Sequence, residues 1–215
     1  VNDRYELEQE VEGVWTRVND DLTYTVTTTG TGEDVFGNET STTTVTNYGI
    51  KRGKPYVTDS TVTTAATDVF GAYSESETVT EYEYDELSHG GVIDAEWGLK
   101  SYTVTTSANG SDIFGGTWNT TAVTTEYQNI YDASAAEVTY KLQQNVIVDG
   151  VGEWRDVNDA LEYTIETTGT GTDVFGNATA TKTVTEYKVK KGKPYVAKST
   201  VTTEATDVFG AYSES

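Results

Sequence analysis

Four asparagines stand in Asn-x-Ser/Thr sequons: Asn38, Asn109, Asn119 and Asn177. A sequon offers an amide nitrogen for attachment of a bulky, solubilising sugar. Asn38 and Asn177 directly follow an Asp-Val-Phe-Gly stretch, Asn119 lies just past the related Asp-Ile-Phe-Gly, and Asn109 just before it. A second chemistry is oxygen ligation. Asn19-Asp20 recurs as Asn158-Asp159, which makes Asp20 and Asp159 the candidate ligands for calcium, a hard cation that suits oxygen-rich loops. Neither an EF-hand loop nor a glycine-aspartate nonapeptide accompanies them, and the competing reading is a capping and turn role. A third is stacking on sugars by Trp15, Trp97 and Trp154, each a few residues before an expected strand, against a role in the core.

Catalytic chemistry finds little support. Cysteine is absent, which removes disulfides, thiolate metal sites and cysteine nucleophiles. His89 is the one histidine, so neither a metal site nor a relay can be completed from histidines. A glycosidase pair could be nominated from any two of the 35 acidic residues, which makes that signal empty. No phosphate-binding loop is present. The chain is not expected to be an enzyme.

Phenylalanine occurs five times, as Phe36, Phe70, Phe114, Phe175 and Phe209, always third in Asp-[Val/Ile]-Phe-Gly. Aspartate first and glycine fourth form a type I turn signature. Before each turn comes a segment such as "YTVTT" or "STVTT", and after four of them "TVTNY", "TVTEY" or "VTTEY". In "YTVTT", Tyr24 and Val26 share one face and Thr25 and Thr27 the other. Each unit therefore reads as strand, turn, strand. The rings are expected either to plug the end of their own sheet or to pack between repeats. Burying one would contribute roughly 1.5–3 kcal/mol.

A second hairpin is expected in "YGIKRGKPYV" (48–57) and in "YKVKKGKPYV" (187–196). Proline just after these basic bends suits a strand start or an edge. In "TVTEY" valine and tyrosine are three apart, which calls for either a bulge or burial on both faces. The Thr-x-Thr pairs suggest an ice-binding array, but Thr25/Thr27 becomes Thr164/Glu166 further on. A charge there fits such an array poorly.

Residues 15–76 align with 154–215 without a gap, and 45 of the 62 positions are identical. The unit is about 139 residues long, with three Asp-Val/Ile-Phe-Gly hairpins of unequal reach. Residues 1–139 form a first super-repeat, with hairpin modules at about 22–48, 60–84 and 101–127. Residues 140–215 form a partial second one. Threonine makes up about a fifth of the chain and tyrosine numbers 15. β-branched and aromatic residues suit pleated surfaces. The expected fold is all-β: tandem antiparallel hairpin modules, meander or sandwich-like.

The net charge of −21 and pI near 4.2 make nucleic acid and anionic membranes poor partners. No apolar run approaches the roughly 20 residues of a membrane span. Methionine is absent, which suggests an interior segment of a longer or processed protein. These threonine-rich, acidic, cysteine-free tandem β modules resemble the stalks of bacterial surface adhesins and the repeat proteins of extracellular filaments. The resemblance implies a secreted or cell-surface, glycosylated protein with a mechanical role. The expected function is a structural segment of an extracellular fibre or surface stalk. The alternative is a calcium-dependent or glycan-binding adhesin module. The partner is expected to be the same array, by continuing chain or by strand addition beside the fifth turn, with Phe209 packing there as Phe70 does inside the chain.

Overall fold

The computed structural model describes residues 8–11, 13–17, 22–51, 53–89, 92–131, 140–148, 151–191 and 193–215. Threonine, valine and tyrosine restrict the backbone toward the extended state, and the fold is all-β. The first strands are β1 (Glu8–Val11), β2 (Val14–Arg17), β3 (Thr23–Glu33), β4 (Glu39–Lys51) and β5 (Lys54–Thr67). Then come β6 (Tyr73–His89), β7 (Val92–Ser111), β8 (Thr117–Thr120), β9 (Val123–Tyr131) and β10 (Tyr140–Val148). The last are β11 (Val151–Asp156), β12 (Glu162–Thr172), β13 (Ala178–Lys190), β14 (Lys193–Thr206) and β15 (Tyr212–Glu214).

β1 and β2 pair with each other, and the other thirteen strands form one antiparallel, meander-like sheet. Its main path runs β15-β14-β13-β12-β8-β7-β6-β5-β4-β3. β7 is the branch point. Its Asn109–Ser111 segment pairs with β8, which leads to β12, while Ser101–Thr106 pairs with β9, which leads to β10 and β11. The side arm meets the main path at one small core, where Val146, Leu161 and Val189 are buried together with Val148, Val157 and Tyr163 packed around them. Leu22 and Ile50 are the other buried hydrophobic residues among those described, 139 positions before Leu161 and Val189.

The rest is a single layer. The accessible surface is 14557 Å², whereas a compact protein of this mass would expose about 9,800 Å². The sandwich form of the expected fold is therefore confined to the side arm.

β3 meets β4 in the register in which β12 meets β13, 139 residues later. Tyr24 stacks on Tyr48 with ring centroids 4.9 Å apart, and Tyr163 on Tyr187 at 5.1 Å. Both copies carry a bulge in the following strand, where Thr58 or Ala197 is the extra residue. The bulge does not lie between valine and tyrosine. Val45 and Tyr48 simply occupy opposite faces of an uninterrupted β4. Pro55 lies opposite Ile50, in a part of β5 that β6 does not reach, since pairing with β6 begins at Asp59. That segment has one neighbour, so a missing N–H is tolerated.

Candidate functional site

β3, β5, β7, β12 and β14 run in one direction, because an even number of antiparallel steps separates each from the next. Their five Asp-Val/Ile-Phe-Gly turns therefore line one rim of the sheet. In each, the aspartate amide donates to the carbonyl four residues on, and the glycine amide donates back to the aspartate carbonyl at 2.9–3.2 Å. One carboxylate oxygen accepts the phenylalanine amide at 2.8–2.9 Å. The same oxygen accepts the amide two residues further on at 2.8–3.0 Å. The glycines sit at φ of 84–94°, the left-handed region that a glycine enters without steric cost. This is a type I turn closed by a glycine bulge. At Asp34 the Asn38 side-chain amide, then the backbone amides of Asn38 and Phe36, hold the carboxyl below its usual range.

The turn chemistry explains aspartate and glycine but does not bury the ring. Phe36, Phe70 and Phe175 are 77% exposed, Phe114 73% and Phe209 93%. None plugs its own sheet, and inside this chain none packs between repeats. Phe70 in particular makes no buried junction, contrary to the expectation. The reason is geometric: the third turn residue points off the rim, beyond the last strand pair.

Two sequon asparagines serve the same rim. Asn38 Nδ2 donates to Asp34 Oδ2 at 2.8 Å, and its Oδ1 accepts the Val69 amide of the next turn at 3.2 Å. Asn177 repeats this with Asp173 at 2.7 Å and the Val208 amide at 3.1 Å. These contacts tie neighbouring turns together. Asn109 and Asn119 face each other across β7 and β8 and are exposed. Asn119 Oδ1 accepts the Thr170 hydroxyl at 2.5 Å.

Asp159 lies at the opposite rim. Its Oδ1 accepts the amide of Lys191, a lysine held at a φ of 53° in the basic bend between β13 and β14. Beside it Asn158 Oδ1 accepts the Ala160 amide at 2.9 Å. That is turn-forming work. Asp20 lies outside the described residues. Among the described residues no three His, Cys, Asp or Glu side chains gather as a metal would require. Trp15 is 64% and Trp154 41% exposed, so neither is core, while Trp97 falls in β7. Trp118, which sequence reasoning passed over, is 41% exposed, and its ring lies over Gly110, where a Cβ would come within 2.5 Å of it.

The larger feature missed from sequence is the difference between the two faces. Residues paired directly across strands share a face. One face collects the even-numbered residues 24–32, 40–48, 60–66, 74–82 and 102–110 of β3–β7. It continues through the odd-numbered residues 163–171, 179–187 and 199–205 of β12–β14. These positions hold no Asp, Glu, Lys or Arg: they are Thr, Ser, Val, Ile, Ala, Gly and Tyr. A row of tyrosines closes the face at the end away from the turns. Within it, Tyr102 lies 5.9 Å from Tyr82 and 4.5 Å from Tyr127. Burial, then nearby Tyr163 and Tyr102, pushes the Tyr127 hydroxyl up to about 12. Thr46 with Ser60 and Thr78 with Thr106 link hydroxyls across strands on this face.

The other face holds the charge. Lys182 meets Glu166 at 2.8 Å, Lys188 meets Glu162 at 2.6 Å, and Lys198 meets Glu186 at 3.4 Å. Glu75, Glu77 and Glu81 project there from β6. The alternation in "TVTEY" was the available signal, but the pairing register was needed to add strand to strand. No protein-family model matches the chain, and no curated protein or solved structure matches it.

Proposed function

We propose that this chain is a structural β-sheet segment of an extracellular, glycosylated tandem-repeat fibre or surface stalk. The observation that carries the reading is the single-layered sheet, which leaves roughly half as much again of its surface in water as a compact protein of its mass would. A layer so poorly covered by its own chain gains most from neighbours of its own kind.

Sedimentation velocity and negative-stain microscopy across a concentration series test the proposal. Growth into elongated assemblies supports it, and a compact monomer at every concentration would refute it. Glycans fit best at Asn109 and Asn119, whose side chains are exposed on paired strands. At Asn38 and Asn177 a sugar would displace part of the turn contacts. Glycopeptide analysis of native material decides between them.

The exposed indoles of Trp15 and Trp154 favour a second reading, a glycan-binding adhesin module. Tryptophan faces stack on sugar rings. A glycan array, with Trp15→Ala and Trp154→Ala as controls, tests it.

A further inference from the structure

The geometry points to the uncharged face as the surface through which two copies of this chain stack, face to face, with both charged faces turned to solvent. This rests on the self-associating reading above and names the surface and the partner.

Three observations carry it. The first is size. Each residue on a sheet face occupies about 33 Å², from about 4.8 Å between strands and about 6.8 Å between alternate residues. The 24 uncharged positions of β3–β7 thus span about 800 Å², which equals the contribution of one partner to a stable interface of standard size, about 800 Å². The second is continuity. At its tyrosine end the same face already accepts a second β layer, since the β10 side chain Val146 packs on Leu161 and Val189 there. The remainder of the face has no such cover: Val26 is 44% exposed, Val201 56%, and nothing stands within 4 Å of where a Cβ on Gly30 would be.

The third is a comparison of the two copies. Between residues 23 and 76 the uncharged face has 19 paired positions, and two of them differ in the second copy, Val26 against Ile165 and Ile50 against Val189, each exchange staying aliphatic. The charged face has 22 such positions, and ten of them differ. Thr27 becomes Glu166, Asp59 becomes Lys198 and Ala65 becomes Glu204 there. The face that the chain leaves uncovered is thus the one whose chemistry is held constant. Solvent alone does not require that, since a solvated face tolerates charge, as the other one does. A sheet packed at about 10 Å does require it, because a charge inserted there would be buried without a partner.

A second copy fits better than an unlike partner. The net charge of −21 per chain repels association through the charged face. Face-to-face stacking keeps both charged faces outward, where salt screens them within about 8 Å. Two identical faces also satisfy a two-fold axis.

The test compares two double variants of the full chain by sedimentation equilibrium. Val26→Lys/Val201→Lys places charge on the uncharged face, at sites exposed in one copy. Thr27→Lys/Thr200→Lys places the same charge on the other face. Circular dichroism and urea melts at a dilution where each is monomeric establish that both fold. The expected result is that the first pair weakens self-association by at least 100-fold while the second leaves it within about three-fold of wild type. If both pairs associate like wild type, the copies join elsewhere and this inference is overturned, while the self-associating reading stands. If wild type itself is monomeric up to millimolar concentration, both fall.

Discussion

Each rim turn assigns its residues separate tasks. Aspartate satisfies two backbone amides, glycine takes the left-handed position, and phenylalanine is left outside. Gly71 sits at a φ of 94°, so Gly71→Ala is expected to lower stability by about 1–3 kcal/mol, read from urea unfolding. Serine in place of all five phenylalanines removes rings that are at least 73% exposed. Monomer stability should change by less than about 0.5 kcal/mol for each substitution. A larger loss in the urea melt would show that the rings are packed after all. Tyr127 predicts an alkaline limit. Its hydroxyl holds its proton to about 12 in the folded chain and to about 10 in the unfolded one. The unfolded state therefore releases the proton first. The associated stability is complete below pH 10 and is lost as pH rises from about 10 to about 12. Tyr127→Phe should show a shallower fall of the urea midpoint across that window.

At the scale of strands, the bulge in β5 absorbs Thr58 as an extra residue opposite β4. Tyr56 meets the ring of Tyr84 edge-on at 4.8 Å and lies against Gly49. Deleting Thr58 would leave Asn47 opposite Asp59 and Tyr48 opposite Val57 in an unbroken ladder, so Lys54–Val57 would keep their faces. Tyr84→Ala instead removes the ring pair, at about 0.5–1.5 kcal/mol beyond the lost burial. The expected readout is a lower melting temperature and a changed near-ultraviolet tyrosine signal. The Asp159 contact to the Lys191 amide acts on the same rim from outside the sheet, joining the 157–161 turn to the basic bend.

For the whole molecule, one layer of sheet carries the consequences. With five buried hydrophobic side chains among the described residues, little of the folding free energy comes from an interior. Hydrogen-bonded pairing along the strands must supply more than usual. If copies associate as proposed, the melting temperature should rise with protein concentration, because a partner that binds only the folded state stabilises it by mass action. Differential scanning calorimetry from 0.01 to 1 mM measures this. A concentration-independent transition would argue for a self-sufficient monomer.

Much of this architecture was legible from the sequence because its determinants are local. Asp-Val/Ile-Phe-Gly specifies a turn through its own carboxylate and its own glycine. Alternating threonine and valine specifies a strand. A basic residue before glycine, Arg52-Gly53 and Lys191-Gly192, specifies the second set of hairpins. Three matters required the tertiary structure, because each depends on which strand lies beside which. The first was the exposure of the phenylalanines: apolar character suggested burial, but a ring on a rim can be buried only by something beyond the sheet. The second was the branch at β7, where one strand serves two neighbours along a single edge. The third was the charge-free face. Each strand contributes four or five residues to it, so no single segment displays it. The hydrogen-bonded register of eight strands adds them into one surface.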